Sequence, residues 1–256
     1  MQRIDGRLVY SASDLNHFLE CRHLTELDRQ VALGVKVRPE HSDPMTDLIA
    51  CKGLEHERRY LDRLLELQLG VQVFESGPAT TIADLLEAEA RTVASMEQGA
   101  GHIYQATFFD GTFLGHADFL RYVNDPRSPR GFSYEVIDTK LALHPKPYFL
   151  IQLCNYSEHV QRITGVAPEY GYVILGTGEE VRFRLADYSA YYRHVKQSFL
   201  ESVAHGIDVY PNECSHCAIC PWNAQCAKRR DEDDHLSLVA GIRRDQIAKL
   251  EGAGIC

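Results

Sequence analysis

Apolar residues recur at helical spacing through the first hundred positions, and strand-like alternation takes over after that. Residues 11–34 keep the 3.6-residue period, with Ser11 or Ser13 placed to cap and Gly34 to stop, and so predict one helix. Residues 47–70 predict a second. There Leu54, Tyr60, Leu61, Leu64, Leu65 and Leu67 fill a broad apolar arc, with Arg58, Arg59, Asp62 and Glu66 opposite. His56 falls at the edge of that arc, in step with Tyr60 and Leu64. Residues 80–99 predict a third helix. At 103–123 two β-rich runs flank Asp110-Gly111, a pair suited to a type I′ turn, which predicts a hairpin. A loop at 124–131 leads to a strand at 132–143, then to a helix that Pro147 opens and Gly165 closes. Strands at 169–176 and 179–187 and a helix from 187 to 206 follow. Helices, three strands, a helix and further strands predict an α/β core.

Composition narrows the function classes. Apolar residues make up 45% and charged residues 25%, ordinary for a soluble globular chain. A formal charge of −9 excludes a non-specific polycation, so a nucleic-acid partner would have to meet a local basic groove. The run at 229–234, RRDEDD, reads as solvated surface. The first residues lack the apolar core of a signal peptide and no run reaches membrane-span length, so the expectation is a cytoplasmic protein without a membrane partner. Residues 236–255 predict one helix and the start of a second, which resembles the opening of a helix-hairpin-helix. The expected division is a main domain over 1–235 and a truncated extension over 236–256.

The stretch YEVIDTKLAL raises the chemical question. Alternation puts Val136, Asp138 and Lys140 on one strand face, and His116, Asp118 and Leu120 on one face of the preceding strand. If those strands are neighbours, two carboxylates and an ammonium converge. Burying two carboxylates together is costly unless a cation neutralises them, and a hard divalent ion such as Mg²⁺ suits oxygen ligands. Gln152 and Tyr156 lie four apart, on one face of the following helix.

Of eight cysteines, Cys51 and Cys154 fall inside helical patterns and read as small core residues. Cys217, Cys220 and Cys226 make a C-x2-C-x5-C set that needs a fourth ligand for tetrahedral zinc or a cubane cluster. Adjacent Cys214 and remote Cys21 are both candidates.

Four pieces in order resemble the RecB-type branch of the PD-(D/E)XK nucleases. Gly53 to His56 matches its G-x-x-H, Gly115 to Asp118 its G-x-x-D, Asp138 to Lys140 its (D/E)-x-K, and Gln152 to Tyr156 its Q-x-x-x-Y. The resemblance implies a restriction-endonuclease-like α/β core, a central mixed sheet flanked by helices. It implies that His56, Asp118, Asp138 and the Thr139 carbonyl hold Mg²⁺ or Mn²⁺, that Lys140 assists the attacking water, and that Gln152 and Tyr156 position the DNA strand or the lysine. His116 is a spare imidazole near that set. The cysteines resemble the iron–sulfur subgroup of this branch, such as AddB-type and CRISPR-associated adaptation nucleases. That implies a [4Fe–4S] cluster on Cys21, Cys217, Cys220 and Cys226, joining the N- and C-terminal segments, with Cys214 and His216 as neighbours; Cys21 lacks the usual Pro-Arg after it, and zinc stays open.

The expected activity is metal-dependent hydrolysis of single-stranded or end-bearing DNA in repair, recombination or defence, with a helicase following in the same polypeptide. The alternative is an inactive nucleic-acid-binding module stabilised by zinc or iron–sulfur. Arg121, Arg127 and Arg130, with Arg22, Lys146 and Lys228, are the basic residues expected beside the DNA, and Tyr148 and Phe149 the rings expected to stack on bases.

Overall fold

The computed structural model describes residues 1–40, 44–75, 77, 79–206 and 208–255. The chain divides into two compact units, Met1–Asn16 with Ser42–Phe199, and His17–His41 with Leu200–Cys256.

The first unit opens with a small antiparallel hairpin, β1 (Gln2–Ile4) and β2 (Arg7–Val9), whose strands are too short for their alternation to stand out. Helix α1 (Ala12–Glu20) begins after Ser11, whose N–H and hydroxyl both donate to Asp14. The single helix predicted over 11–34 is two: Cys21, extended at φ −155° and ψ 110°, separates α1 from α2 (Arg22–Ala32). The apolar period runs through the break, so only the backbone reveals it.

Helix α3 (Pro44–Glu66) covers most of the predicted 47–70 but starts and ends earlier, and its buried face differs from the expected one. Only His56, Leu61 and Leu64 are buried; Leu54, Leu65 and Leu67 of the expected arc are exposed, and so is Cys51. The wheel assumed one continuous partner surface, whereas the helix meets the sheet only through its C-terminal half. Gly53 sits in the exposed half with nothing within 4 Å of where a Cβ would lie. Gly53→Ala is therefore expected to stabilise the protein by about 0.5–1 kcal/mol, read as a raised denaturant midpoint with an unchanged slope.

A third short strand, β3 (Val71–Val73), precedes α4 (Ile82–Glu97), which starts with a reciprocal Thr81–Asp84 capping box. The hairpin follows as β4 (His102–Phe109) and β5 (Leu114–Asn124). Its connection is longer than the two residues predicted: Phe109 pairs with Leu114, and the Asp110 carboxylate accepts the N–H groups of Thr112 and Phe113. Strand β6 (Phe132–Thr139) pairs antiparallel with β5. Helix α5 (Pro147–Thr164) has Pro147 in its first turn and ends at Gly165, φ 80°, as the sequence predicts. Strands β7 (Tyr170–Ile174) and β8 (Glu180–Arg184) and helix α6 (Ala186–His205) complete the pattern.

The result is a six-stranded mixed sheet in the order β3-β4-β5-β6-β7-β8, with β3·β4 and β6·β7 parallel and the other pairs antiparallel. Leu61 and Leu64 of α3 pack on Phe119, Ile137, Tyr172 and Ile174. Residue 171 faces the other way from 172, and there Leu153 of α5 lies 3.3 Å from the place a Gly171 Cβ would take. Helices α3 and α5 thus sandwich β6 and β7. Cys154 is buried in α5, as expected.

The second unit contains α2, a short 3-10 turn (Ser215–Ile219), α7 (Asn223–Glu232), another 3-10 turn (Leu236–Leu238) and α8 (Arg244–Gly252). Its core is Leu24, Leu27 and Trp222, with Cys21, Val31, Cys220 and Cys226 packed against them. Arg230, buried in α7, donates to the Pro211 carbonyl at 2.8 Å. Among the described residues no helix is long and apolar enough to cross a membrane.

Candidate functional site

The printed β5–β6 ladder ends at Phe119↔Ile137, and the residues just past it carry the acids. Where the ladder stops, Asp118 takes over as acceptor: one carboxylate oxygen receives both the Thr139 N–H and the Thr139 hydroxyl at 2.8 Å. Thr139 thus holds Asp118 through both of its donors. Asp138 is fully buried, and Lys140 Nζ lies 2.6 Å from its Oδ2. Its Oδ1 has no hydrogen-bond partner among the described residues.

Burial and the balance of charge together explain the titration behaviour. Burial pushes the Asp138 carboxyl up to about 7, and the charges of Asp118 and Glu57 push the same way against Lys140. Burial works against the Lys140 ammonium, yet the negative charges of Asp138 and Asp118 outweigh it and hold its pKa above the usual value. Burial is the largest cause of the upward shift at Asp138 and Glu57, and the crowding of negative charge around one ammonium adds to it while raising Lys140. The pocket is short of positive charge.

Glu57 is the residue that sequence reasoning missed. It follows His56 on α3, accepts from Gln105, and has its carboxyl raised by burial and then by Asp118. Its signal in the sequence is the second glutamate of GLEHE, next to His56 and so about 100° from it around the helix. Gln105 has φ 57°, a conformation uncommon for a residue with a side chain, at the point of β4 where it reaches Glu57.

His56 is buried with Nε2 3.1 Å from the Ile174 carbonyl, which also accepts the Lys140 N–H at 2.9 Å. With that nitrogen protonated, Nδ1 keeps its lone pair for another partner. No three ligand atoms from His56, Glu57, Asp118 and Asp138 lie all within 4.8 Å of one another. The acids are brought together around β6 while His56 stays on the β7 carbonyl. His116 is exposed and pairs with the Thr107 hydroxyl at 3.2 Å.

Helix α5 supplies the other wall. Gln152 Nε2 donates to the Tyr156 hydroxyl at 3.1 Å. Burial, then the charges of Asp138 and Asp118, raise the Tyr156 phenol, which keeps it a neutral donor. Gly115 explains how that ring fits: a Cβ there would lie 2.9 Å from two Tyr156 ring carbons. Gly115→Ala is expected to cost about 1–3 kcal/mol and to displace Tyr156, measurable as a lowered denaturant midpoint and altered tyrosine near-ultraviolet dichroism.

The expected basic groove is corrected. Arg121 is bound to Glu180 at 2.9 Å and Glu135 at 3.4 Å, with its guanidinium 4.0 Å from the Tyr172 ring centroid. Arg127 pairs with Asp125, and Arg130 with Glu97. Arg127 and Arg130 also follow the far end of β5, at least six residues or roughly 20 Å along the strand from Asp118. Phe149 is core, 1% exposed, with Lys140 Nζ 5.8 Å from its ring centroid. Tyr148 is partly exposed, stacks with Lys146, and its charge acts on Lys140. Lys140 is the cation that acts on the acids, and Tyr156 and Tyr104 are rings that feel their charge. In the second unit, Arg22 lies over Phe18 and Lys228 near Glu232.

Within the second unit one small cavity of about 20 Å³ is lined by Cys21, Cys214, Cys217, Cys220 and Cys226 together. Burial raises the Cys217 and Cys220 thiols and takes Cys226 up to about 11, with neighbouring cysteines adding to each. Cys21 acts on Cys220 and Cys226, although well over a hundred residues separate it from them. Cys214 Sγ is 3.8 Å from Cys217 Sγ. No three of the sulfurs lie all within 4.8 Å of one another.

Compared with known proteins, the chain matches no protein-family model and no curated protein.

Proposed function

We propose that this chain is a Mg²⁺- or Mn²⁺-dependent deoxyribonuclease of the PD-(D/E)XK, RecB-like type, acting on single-stranded or end-bearing DNA. The carrying observation is Asp138: fully buried, with one oxygen unpartnered, beside two further acids and a single lysine. Such a group is stable only if protonated or met by a cation, and carboxylate oxygens suit a hard divalent ion. Asp138, Asp118 and Glu57 would hold the ion, with His56 reaching it through Nδ1. Bound there, the ion supplies Lewis-acid stabilisation of charge gathering on the scissile phosphate.

The chain's own residues do the rest. Thr139 fixes the Asp118 carboxylate by two hydrogen bonds, so its free lone pairs keep one direction. Lys140, held charged by the acids, presents an ammonium to the water or to the phosphate oxygens. Gln152 orients the Tyr156 hydroxyl at the same wall. Labelled single-stranded DNA incubated with Mg²⁺ or Mn²⁺ tests the reading. Wild type should degrade it while Asp118→Ala and Lys140→Ala do not; equal degradation by all three would assign the cleavage to a contaminant.

For the cysteines we propose a [4Fe–4S] cluster on Cys21, Cys217, Cys220 and Cys226. Its support is the shared cavity and the electrostatic reach of Cys21 to Cys220 and Cys226. Four half-buried thiols are the donor set such a cluster takes, and it would deprotonate them. One observation favours a second reading: the 3.8 Å Cys214–Cys217 separation matches the sulfur–sulfur edge of a tetrahedral zinc site, about 3.8 Å for 2.3 Å bonds. A closed zinc site would bring at least three sulfurs that close, which the structure does not do.

A further inference from the structure

Helix α5 has a second polar–aromatic surface that the acid site does not use. A cleft of about 330 Å³ lies along it, lined by Lys146, Ile151, Phe183, Tyr188, Tyr191 and Tyr192 among others. That volume is at the lower end of small-ligand pockets, roughly 300–1,000 Å³. Tyr192 is buried and anchored by its hydroxyl to Glu158 at 2.6 Å, while Tyr191 is 57% exposed. Phe183 and Tyr188 meet edge to face at 6.3 Å. The cleft wall is thus built of aromatic rings, one of which presents itself to solvent.

Its charge is the unusual feature. The chain has 36 acidic and 27 basic residues, yet among the described residues no carboxylate lines this cleft, and its one charged side chain is Lys146. A ligand that suits it has flat π faces and negative charge, which is the chemistry of a nucleic acid strand with its bases unpaired. The cleft and the acid site share helix α5, on different faces of it. Lys146 and Pro147 begin α5 and line the cleft, and two residues on, Phe149 lies under Lys140. Ile151 and Cys154 face the cleft, and Gln152 and Tyr156 form the wall of the acid site.

We propose that this cleft is a subsite for an unpaired nucleobase of the strand whose backbone is engaged at Asp118 and Asp138, with Tyr191 as the stacking ring and Lys146 as the phosphate contact. The proposal rests on the nuclease reading and specifies its substrate as locally single-stranded.

Fluorescence anisotropy with a labelled 15-nucleotide oligothymidine and the matching duplex, in Ca²⁺ with the full chain, tests it. Tyr191→Ala should weaken single-strand binding about 10-fold and leave duplex binding unchanged, whereas Tyr191→Trp should retain single-strand affinity. Lys146→Ala should lower the salt dependence by about one phosphate contact, near 0.7 in log–log slope. Wild-type affinity in Tyr191→Ala, in a protein that still cleaves DNA with Mg²⁺, would overturn the subsite and leave the nuclease standing. So would a proline-rich peptide binding at Tyr191 without competing with the oligonucleotide. A folded protein that neither binds nor cleaves DNA would overturn both.

Discussion

Asp138→Asn is expected to abolish metal-dependent cleavage while making the metal-free protein more stable near neutral pH. The loss of activity should reach at least about 10³-fold, the several kcal/mol that a correctly held ion contributes to charge stabilisation. The gain in stability follows from linkage. The Asp138 carboxyl titrates near its ordinary 3.8 in the unfolded chain but at about 7 in the fold. The folded protein therefore binds this proton more tightly, so the contribution of this group to metal-free stability is fully present below about pH 4 and is lost as pH rises through 7. Asparagine never ionises, its amide can donate to the surrounding carboxylates, and Lys140 keeps Asp118 as a charge partner. At pH 7 and above the variant should be more stable by on the order of 2–4 kcal/mol. Wild type should regain stability on adding Mg²⁺ and Asp138→Asn should not. Thermal melts across pH 4–8, with and without Mg²⁺, read both effects; a variant less stable than wild type at every pH would refute the charge-balance account.

Cys21→Ser is expected to remove the iron and most of the stability of the second unit. The cluster would tie Cys21 to Cys217, Cys220 and Cys226, closing a loop of roughly 200 residues. Loop-closure entropy at that length is worth about 5 kcal/mol by analogy with a disulfide. For a chain of this size that corresponds to a fall in melting temperature of roughly 10–20 °C. Anaerobically purified wild type should be brown with about four irons per chain. Cys21→Ser should be colourless, and Cys214→Ser should keep its iron. Colourless wild type with one zinc per chain, lost on replacing Cys214, would overturn the cluster in favour of the tetrahedral site.

Some of this was legible along the chain because the signals are local. Helix α5 is framed by Pro147 and Gly165, and those residues fix backbone torsions whatever surrounds them. The β4–β5 hairpin and β6 follow from alternation alone. What escaped was set by tertiary partners. The apolar arc of α3 was read as buried throughout because a wheel shows which residues share a side, not where the neighbouring sheet ends. The break at Cys21 is invisible because the apolar period continues across it. At the candidate site Asp118, Asp138 and Lys140 were legible as a strand-borne set, whereas Glu57 was not: it enters from a helix well before those strands, in company with a left-handed Gln105. The arginines were misplaced for the same reason. Charge along the chain carries no record of Glu97, Asp125, Glu135 and Glu180, which hold them.

The account turns on whether those crowded acids take up a hard cation. Calorimetric titration of the full chain with Mn²⁺ at pH 7.5, with bound manganese counted in parallel by the loss of its free-ion paramagnetic resonance signal, addresses that directly. The expected result is saturable binding that weakens as pH falls through 7, and that disappears in both Asp138→Asn and Asp118→Ala. Undiminished manganese uptake by those two variants, or none by the folded wild type, would contradict it.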